Sequence, residues 1–319
     1  MKRIYKLIGR IGINAFAFII FAGCISCIEA KTKDFETAGK FSLLWEITGN
    51  NLQKPSYLYG SIHIYDSAVF RIPREVYEAI DLCDNFALEV DISKIDQFAM
   101  MKRIMITNPD STLDKLLEPK VYAEMLKAPI IKLMGQAVNN IKPIFISAYL
   151  LIENPLAIQS VDIDLNGYAK NKSKNILEIE TMNEQLDMID NISLSEQAQG
   201  IKDLYDYCKR ENLGFLEAGK KMFGLLMNTY KNQDFDKLVS LEDEFNMTSG
   251  SPVADSAILA VRNINMADRI SDIVKQDKTL FVVLGALHLP DYKNLRGVVA
   301  LMKEKGYNMR PVLINLNIE

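Results

Sequence analysis

Residues 281–288 read FVVLGALH, an apolar run that ends in a glycine followed three residues later by a histidine. The same order occurs near the start of the chain, where residues 57–63 read YLYGSIH. His63 and His288 are the two histidines of a chain of 319 residues. A short, continuous apolar run is typical of a strand that is buried on both faces. The two stretches therefore predict core strands of one sheet, each ending in a histidine.

Two further runs place acidic residues at the same position relative to a strand. Residues 86–91 read FALEVD and carry Glu89, and residues 176–181 read ILEIET and carry Glu180. Open α/β sheets bind ligands outside the carboxyl ends of their strands. We therefore expect two imidazoles and two carboxylates to meet on one rim of the sheet, with Asp91 as a competitor for the role of Glu89.

The glycines before the histidines have a structural reason to be there. A glycine at the end of a strand tolerates positive φ and lets a backbone or a ligand approach closely. We expect Gly60 and Gly285 to turn the chain so that each histidine faces the cleft.

The residue types on this rim suit two kinds of chemistry. Two neutral imidazoles and a carboxylate are a ligand set for a divalent transition metal. Without a metal, the same groups form an acid–base site, because histidine titrates near neutral pH. A single histidine at a strand end is more often a buried structural residue, but the matched pair favours a functional site.

The remaining patterns indicate an α/β (α+β) fold, with a central mixed β-sheet flanked by helices. Residues 41–48 and 57–63, separated by a Gly-Asn-Asn turn, predict an opening hairpin. Helical periodicity over about 93–155 and 190–255 predicts inserted helical segments that form a cap. We expect a single domain over 41–319 that carries both insertions.

The first residues predict export. A basic start is followed by an apolar run over residues 11–22, too short to span a membrane comfortably. We interpret residues 1–23 as a lipoprotein-type signal peptide with lipidation at Cys24, or alternatively at Cys27, and residues 24–40 as a linker. Ordinary cleavage near Ala30 is the alternative. With a lipidated cysteine, the protein is anchored to a bacterial envelope membrane. The alternative is a periplasmic protein.

Composition excludes some partners and leaves other properties open. The net charge is −4, and no basic patch is interleaved with aromatic residues, so nucleic acid is not an expected partner. Cys83 and Cys208 form one disulfide or remain two buried thiols. The sequence does not define the oligomeric state.

An ordered set of short motifs runs along the chain: Tyr57–His63, Leu88–Asp91, Val161-Asp162, Ala169, Ile179–Thr181, Gln185, Arg262-Asn263, Met266-Ala267 and Leu284–Leu289. In this set, and over residues 41–316, the chain resembles the TraB/GumN/Tiki family of Gly-x-x-His proteins. Ser160 and Asp291 stand where members of that family more often have glycine.

Tiki-like members are metal-dependent proteases, so the resemblance implies a hydrolase that acts on peptide or protein substrates. It implies that His63, His288 and Glu89 bind a divalent metal (Mn, Co or Zn) and act in catalysis. Arg262 is implied to hold a substrate carboxylate or stabilise an oxyanion, with Asp162 and Glu180 in support. Two alternatives remain, namely a protein that sequesters a peptide or haem without turnover, and an esterase-like hydrolase that uses no metal.

Overall fold

The structure is a computed structural model that describes residues 42–91, 94–153, 159–245, 252–276, 278–291 and 295–317. The predicted signal peptide, linker and lipidated cysteine lie outside these residues and stay predictions. Among the described residues, no helix is both long and apolar enough to cross a membrane.

A mixed six-stranded sheet with the strand order β6-β4-β7-β2-β1-β8 forms the centre of the fold. A separate two-stranded sheet pairs β3 with β5. The strands are β1 (Leu44–Gly49), β2 (Ser56–Ser61), β3 (Ile64–Tyr65), β4 (Asn85–Leu88), β5 (Gln159–Ser160), β6 (Asn175–Glu178), β7 (Leu280–Gly285) and β8 (Tyr307–Val312).

Four neighbouring strands of the sheet run in the same direction. β7 is parallel to both β2 and β4, and β4 is parallel to β6, whereas β1 is antiparallel to β2 and β8. Every residue of β7 is buried, because a parallel strand in the middle of a sheet is covered on both faces. The carboxyl ends of β6, β4, β7 and β2 therefore share one edge, which confirms the predicted rim.

Helices cover both faces of the sheet. The helices are α1 (Arg74–Asp81), α2 (Gln97–Ile104), α3 (Leu113–Leu116), α4 (Pro119–Met125), α5 (Pro129–Met134), α6 (Pro143–Leu151), α7 (Val161–Asn171), α8 (Met182–Asp190), α9 (Leu194–Arg210), α10 (Phe215–Lys231), α11 (Phe235–Phe245), α12 (Pro252–Val274) and α13 (Val298–Glu304). Side chains of α1 and α7 pack with one face of the sheet, and those of α12 and α13 pack with the other. The α/β class predicted from the sequence is confirmed.

A third apolar cluster lies among helices α2 to α6 and α8 to α11. A proline begins each of α4, α5 and α6, where its missing N–H costs nothing. These helices occupy much of the two segments predicted to be insertions. That they form a distinct cap stays a prediction.

Helix α10 joins this helical layer to the sheet. Its first half, with Ala218 and Met222, belongs to the helical cluster, and its second half packs with strand β2. Near its end, the Tyr230 hydroxyl donates a hydrogen bond of 2.6 Å to the carbonyl oxygen of Gly60. A Cβ at Gly219 would lie 2.1 Å from the carbonyl oxygen of Leu151, so α10 can approach α6 this closely only with glycine there.

Several details differ from the sequence predictions. Strand β7 ends at Gly285, and His288 lies on a 3₁₀ turn (Ala286–His288) rather than in the strand. The helical pattern predicted over 190–255 is divided among several helices, with Gly214 as the N-cap of α10 directly after α9. Cys83 and Cys208 are both free and buried, which settles the choice that the sequence left open.

Candidate active site

The polar residues predicted for the rim come together where the parallel strands end. Ser61 pairs with Gly285 across β2 and β7, and Leu88 lies between β7 and β6. The N–H of Glu180 then donates to the carbonyl oxygen of Glu89 at 2.8 Å, which continues the pairing beyond the strands. This register brings Glu89, which follows β4, to the two histidines, which follow β2 and β7, and places Glu180 beside Glu89.

His63 is held in an unusual backbone conformation. Its φ is +59°, in the left-handed region that residues other than glycine seldom adopt. Its N–H donates to Ser61 Oγ at 3.2 Å, and its carbonyl oxygen accepts from the Val161 N–H at 3.1 Å. Strain of this kind persists where the surroundings overdetermine it, and it clusters at functional sites. The turn therefore fixes the direction in which the imidazole points.

The side chain of His63 is oriented by Asp162. Nδ1 lies 3.1 Å from Asp162 Oδ2, and Ser61 Oγ donates to both oxygens of the same carboxylate at 3.2 and 3.1 Å. A carboxylate only accepts, so the proton lies on Nδ1 and Nε2 is left facing the site. Burial lowers the pKa of His63, but the charge and hydrogen bond of Asp162 and the charge of Glu89 outweigh it, so the pKa is raised.

His288 is oriented by a neutral partner instead. Its Nδ1 lies 2.6 Å from Asn263 Oδ1, and Asn263 Nδ2 donates to the carbonyl oxygen of Arg296 at 2.9 Å. The amide is thereby fixed with its oxygen toward the ring, so Nδ1 carries the proton here too. Burial and then the charge of Arg262 lower the pKa of His288 to about 3. The ring is neutral near pH 7, and Nε2 presents a lone pair.

Glu89 is the residue on which both imidazoles converge. His63 Nε2 and His288 Nε2 each lie 3.9 Å from Glu89 Oε2. The Gly285 N–H donates to that oxygen at 3.0 Å. Burial raises the pKa of Glu89, but the charges of Arg262 and then of the two histidines together outweigh this effect and lower the pKa to about 2. Glu89 is therefore an ionised carboxylate.

Asp91, the competitor for this role, lies elsewhere. It is buried and accepts a hydrogen bond of 3.4 Å from Asn166 Nδ2, with Lys94 Nζ at 3.7 Å. Asn166 lies on α7, and Lys94 lies before α2. Glu89 is therefore the acid that faces the imidazoles.

Arg262 and Gln185 bind Glu89 and Glu180 together. Arg262 Nη2 donates to Glu89 Oε1 and, at 2.8 Å, to Glu180 Oε2. Gln185 Nε2 donates to the same two oxygens, each at 3.0 Å. Gln185 Oε1 is buried and has no hydrogen-bond partner among the described residues, at a cost of about 1–3 kcal/mol. The contacts make Arg262 a counter-ion of two acids, and its predicted contact with substrate stays a prediction.

The two motif glycines are needed for space and not for backbone conformation. Gly285 has φ −55°, and Gly60 is absent from the residues with positive φ, so the prediction of a positive-φ glycine was wrong. The positive φ falls on His63. The predicted close approach is confirmed: a Cβ at Gly285 would lie 2.9 Å from His63 Nε2, and one at Gly60 would lie 2.9 Å from Leu289 Cδ2.

Three residues of the site had no role assigned from the sequence. Ser61 donates to Asp162, the partner of His63 Nδ1, and Asn263 is the partner of His288 Nδ1. Gln185 donates to both glutamates. Ser61 had one usable signal, since it stands two residues before His63. Gln185 had another, because the capping box of Thr181 and Glu184 starts α8 directly after Glu180.

The donors suit a divalent metal in type and in orientation. Both imidazoles place Nε2 3.9 Å from one carboxylate oxygen, and each is held through Nδ1 as metal-binding histidines are. Metal–ligand bonds of about 2.0–2.2 Å would place tetrahedral ligand atoms about 3.4 Å apart, whereas the observed separations are 3.9 Å. Within the described residues, no group of three or more His, Cys, Asp or Glu is arranged to hold a metal ion as it stands.

Comparison with known proteins places this site in a family. Over 333 residues, the chain is 20% identical to a protein of Amphimedon queenslandica named "Metalloprotease TIKI homolog". That alignment covers 87% of this chain and 62% of the relative, so the chain spans less than two thirds of the curated protein it matches. No solved structure matches the chain significantly. A sequence model described as the TraB/PrgY/gumN family matches residues 43–311, which include every residue of the site. The chain belongs to the TraB/PrgY/gumN family.

Proposed function

We propose that this protein is a divalent-metal-dependent peptidase that acts on peptide or protein substrates. The observation that carries the proposal is the convergence of His63 Nε2 and His288 Nε2 on Glu89 Oε2, each at 3.9 Å. Two imidazole nitrogens and a carboxylate oxygen are atoms that can each bind a divalent metal. The name of the Amphimedon relative, a metalloprotease, supports the same chemistry.

The charge of the site also favours a dication. The described side chains include three carboxylates, those of Glu89, Glu180 and Asp162, and one guanidinium, that of Arg262. Metal binding requires both imidazoles to be deprotonated, and the formal charge of the group is then −2. Glu89, Glu180 and Arg262 are buried, and buried charges are expensive unless they are compensated, so a divalent ion would bring this group to neutrality.

The chain's own residues prepare the site for hydrolysis. When bound, a divalent metal supplies Lewis acidity toward a scissile carbonyl and lowers the pKa of a water molecule. Asp162 and Asn263 keep the Nε2 atoms of the two imidazoles turned toward Glu89. Because its pKa is raised, His63 is the imidazole at which a proton competes more strongly with a metal for Nε2, whereas His288 stays neutral.

The same geometry bears on a metal-free mechanism that would use a serine nucleophile. Ser61 is buried, and its hydroxyl is bound to Asp162 on the Nδ1 side of His63. A serine nucleophile would have to lie at Nε2, where the histidine could take its proton. Ser61 is therefore an orienting residue in this site.

The test is metal-dependent cleavage by the purified chain. We expect stoichiometric Mn²⁺ or Co²⁺ and cleavage of a peptide library, both removed by chelator and restored by the metal. His288→Ala and His63→Asn should abolish cleavage with little change in circular dichroism, since asparagine tolerates the left-handed backbone of residue 63. Ser271→Ala, on the same helix as Arg262, is the matched control and should cleave normally.

Other outcomes favour other functions. Cleavage that survives metal removal would favour an esterase-like or other metal-free hydrolase. Tight binding of a peptide or haem without turnover would favour a sequestering protein.

We also propose that the protein is exported and lipid-anchored to a bacterial envelope membrane through Cys24 or, alternatively, Cys27. The basic start and apolar run of the first residues support this proposal. Labelling with a palmitate analogue should be lost in one of Cys24→Ala and Cys27→Ala. Label that survives in the double variant would contradict it.

A further inference from the structure

Helix α8 contributes one polar side chain to the site, and it contacts both buried acids. Gln185 Nε2 lies 3.0 Å from Glu89 Oε1 and 3.0 Å from Glu180 Oε2. These are the two oxygens to which Arg262 Nη2 also donates. Glu89 Oε1 therefore has two donors on it, and its other oxygen, Oε2, is the one turned toward the imidazoles.

The amide can point only one way. With its oxygen toward Glu89 and Glu180, three acceptors would face one another, so the NH₂ group must lie between the carboxylates. Gln185 Oε1 then faces away from them, where it is buried without a partner among the described residues. The unpaired acceptor costs stability, so the favourable contacts of this side chain are those of its NH₂ group with the two carboxylates.

We propose that Gln185 is a positioning residue, which holds Glu89 so that Oε2 is presented to a divalent cation between His63 and His288. This inference rests on the proposed metal-dependent function. A neutral amide is suited to the task, because it brings two carboxylates together without adding positive charge. A second cation beside Arg262 would bind the same oxygens but would repel the metal.

Cobalt binding tests the inference independently of catalysis. Co²⁺ is titrated into the purified chain, and its visible absorption and calorimetric affinity are recorded for the wild type, Gln185→Leu and Gln185→Glu. Loss of a residue that orients a ligand typically weakens metal binding about 10- to 100-fold. We expect that loss in both variants, together with an altered Co²⁺ spectrum.

The matched control is Gln197→Leu. Gln197 is also a buried glutamine, but its Nε2 donates to the backbone carbonyls of Ile189 and Ile192, at 3.3 and 2.9 Å. We expect this variant to lose thermal stability and to keep the wild-type Co²⁺ affinity and spectrum. A purely structural role for Gln185 would give the same result at both positions.

The outcomes separate the inference from the function on which it rests. If the wild type binds no Co²⁺, both fall. If the wild type binds and Gln185→Leu binds equally well, the positioning role alone is overturned. Tighter binding by Gln185→Glu would overturn it as well, because negative charge and not orientation would then govern affinity. Should Gln185→Leu not fold, the isosteric Gln185→Glu and the shorter Gln185→Asn carry the same expectation.

Discussion

Adding one methyl group at Gly285 tests whether the centre of the site is as crowded as the structure shows. Its φ of −55° is open to any residue, so Gly285→Ala introduces no backbone strain. The new Cβ would lie 2.9 Å from His63 Nε2, 3.4 Å from His288 Cδ2 and 3.5 Å from Glu89 Oε2. The substitution therefore acts on all three groups that face one another.

The magnitude follows from these contacts. A carbon–nitrogen contact relaxes at about 3.5 Å, so the His63 ring must retreat by about 0.5 Å. The ring resists, since Asp162 and the turn hold it. Misplacement by about 1 Å costs a reaction on the order of 100-fold, so we expect cleavage to fall about 10- to 100-fold. Overpacking costs about 1–3 kcal/mol and the loss of glycine returns about 0.4–1 kcal/mol, so the fold should survive.

The assay compares Gly285→Ala with Gly224→Ala in helix α10. A Cβ at Gly224 meets nothing within 4 Å, so this control should gain about 0.5–1 kcal/mol in unfolding free energy and keep its Co²⁺ affinity. Urea unfolding, Co²⁺ titration and peptide cleavage are measured on both. A folded Gly285→Ala variant with the affinity and rate of the control would refute the predicted crowding.

Three further predictions concern titration and the core. The pKa of Glu89 is lowered from 4.5 to about 2, so the unfolded state binds more protons and stability is lost as pH falls through this window. Urea unfolding of the metal-free chain should therefore depend less on pH below about 5 in Glu89→Gln than in the wild type, and an unchanged slope would contradict this. Tyr230→Phe removes the donor to the Gly60 carbonyl and should cost about 1–3 kcal/mol in urea, with Co²⁺ affinity kept; altered affinity would show that the contact serves the site. Cys83 and Cys208 are free and buried, and burial raises their pKa to about 12 and about 11, so mass spectrometry should find both alkylated only after unfolding; a disulfide would refute this.

Much of the sheet could be predicted from local patterns. The apolar runs before His63 and His288 mark strands β2 and β7, and the runs before Glu89 and Glu180 mark β4 and β6. That their ends meet follows from the rule that parallel strands bind ligands at their carboxyl edge. A strand that is buried on both faces shows as a continuous apolar run, so a single sequence is enough to locate it.

The contacts within the site could not be read in the same way. Asp162 and Asn263 lie far in sequence from the histidines they orient, with separations of 99 and 25 residues. The positive φ of His63 is held by a hydrogen bond to Ser61 Oγ and by one from the Val161 N–H, and the second forms only when α7 is packed. Tertiary contacts decide the backbone conformation at a strained position. The local pattern therefore pointed to the glycines as the residues with positive φ, whereas the structure has it at His63.

The proposed function requires that His63, His288 and Glu89 form one metal-binding site at the carboxyl edge of the sheet. Crystals grown with Mn²⁺ can be measured by anomalous diffraction, which locates the metal. We expect one strong peak within bonding distance of His63 Nε2, His288 Nε2 and Glu89 Oε2. A peak bonded to other residues, or none at this edge while Mn²⁺ is bound elsewhere, would refute the site.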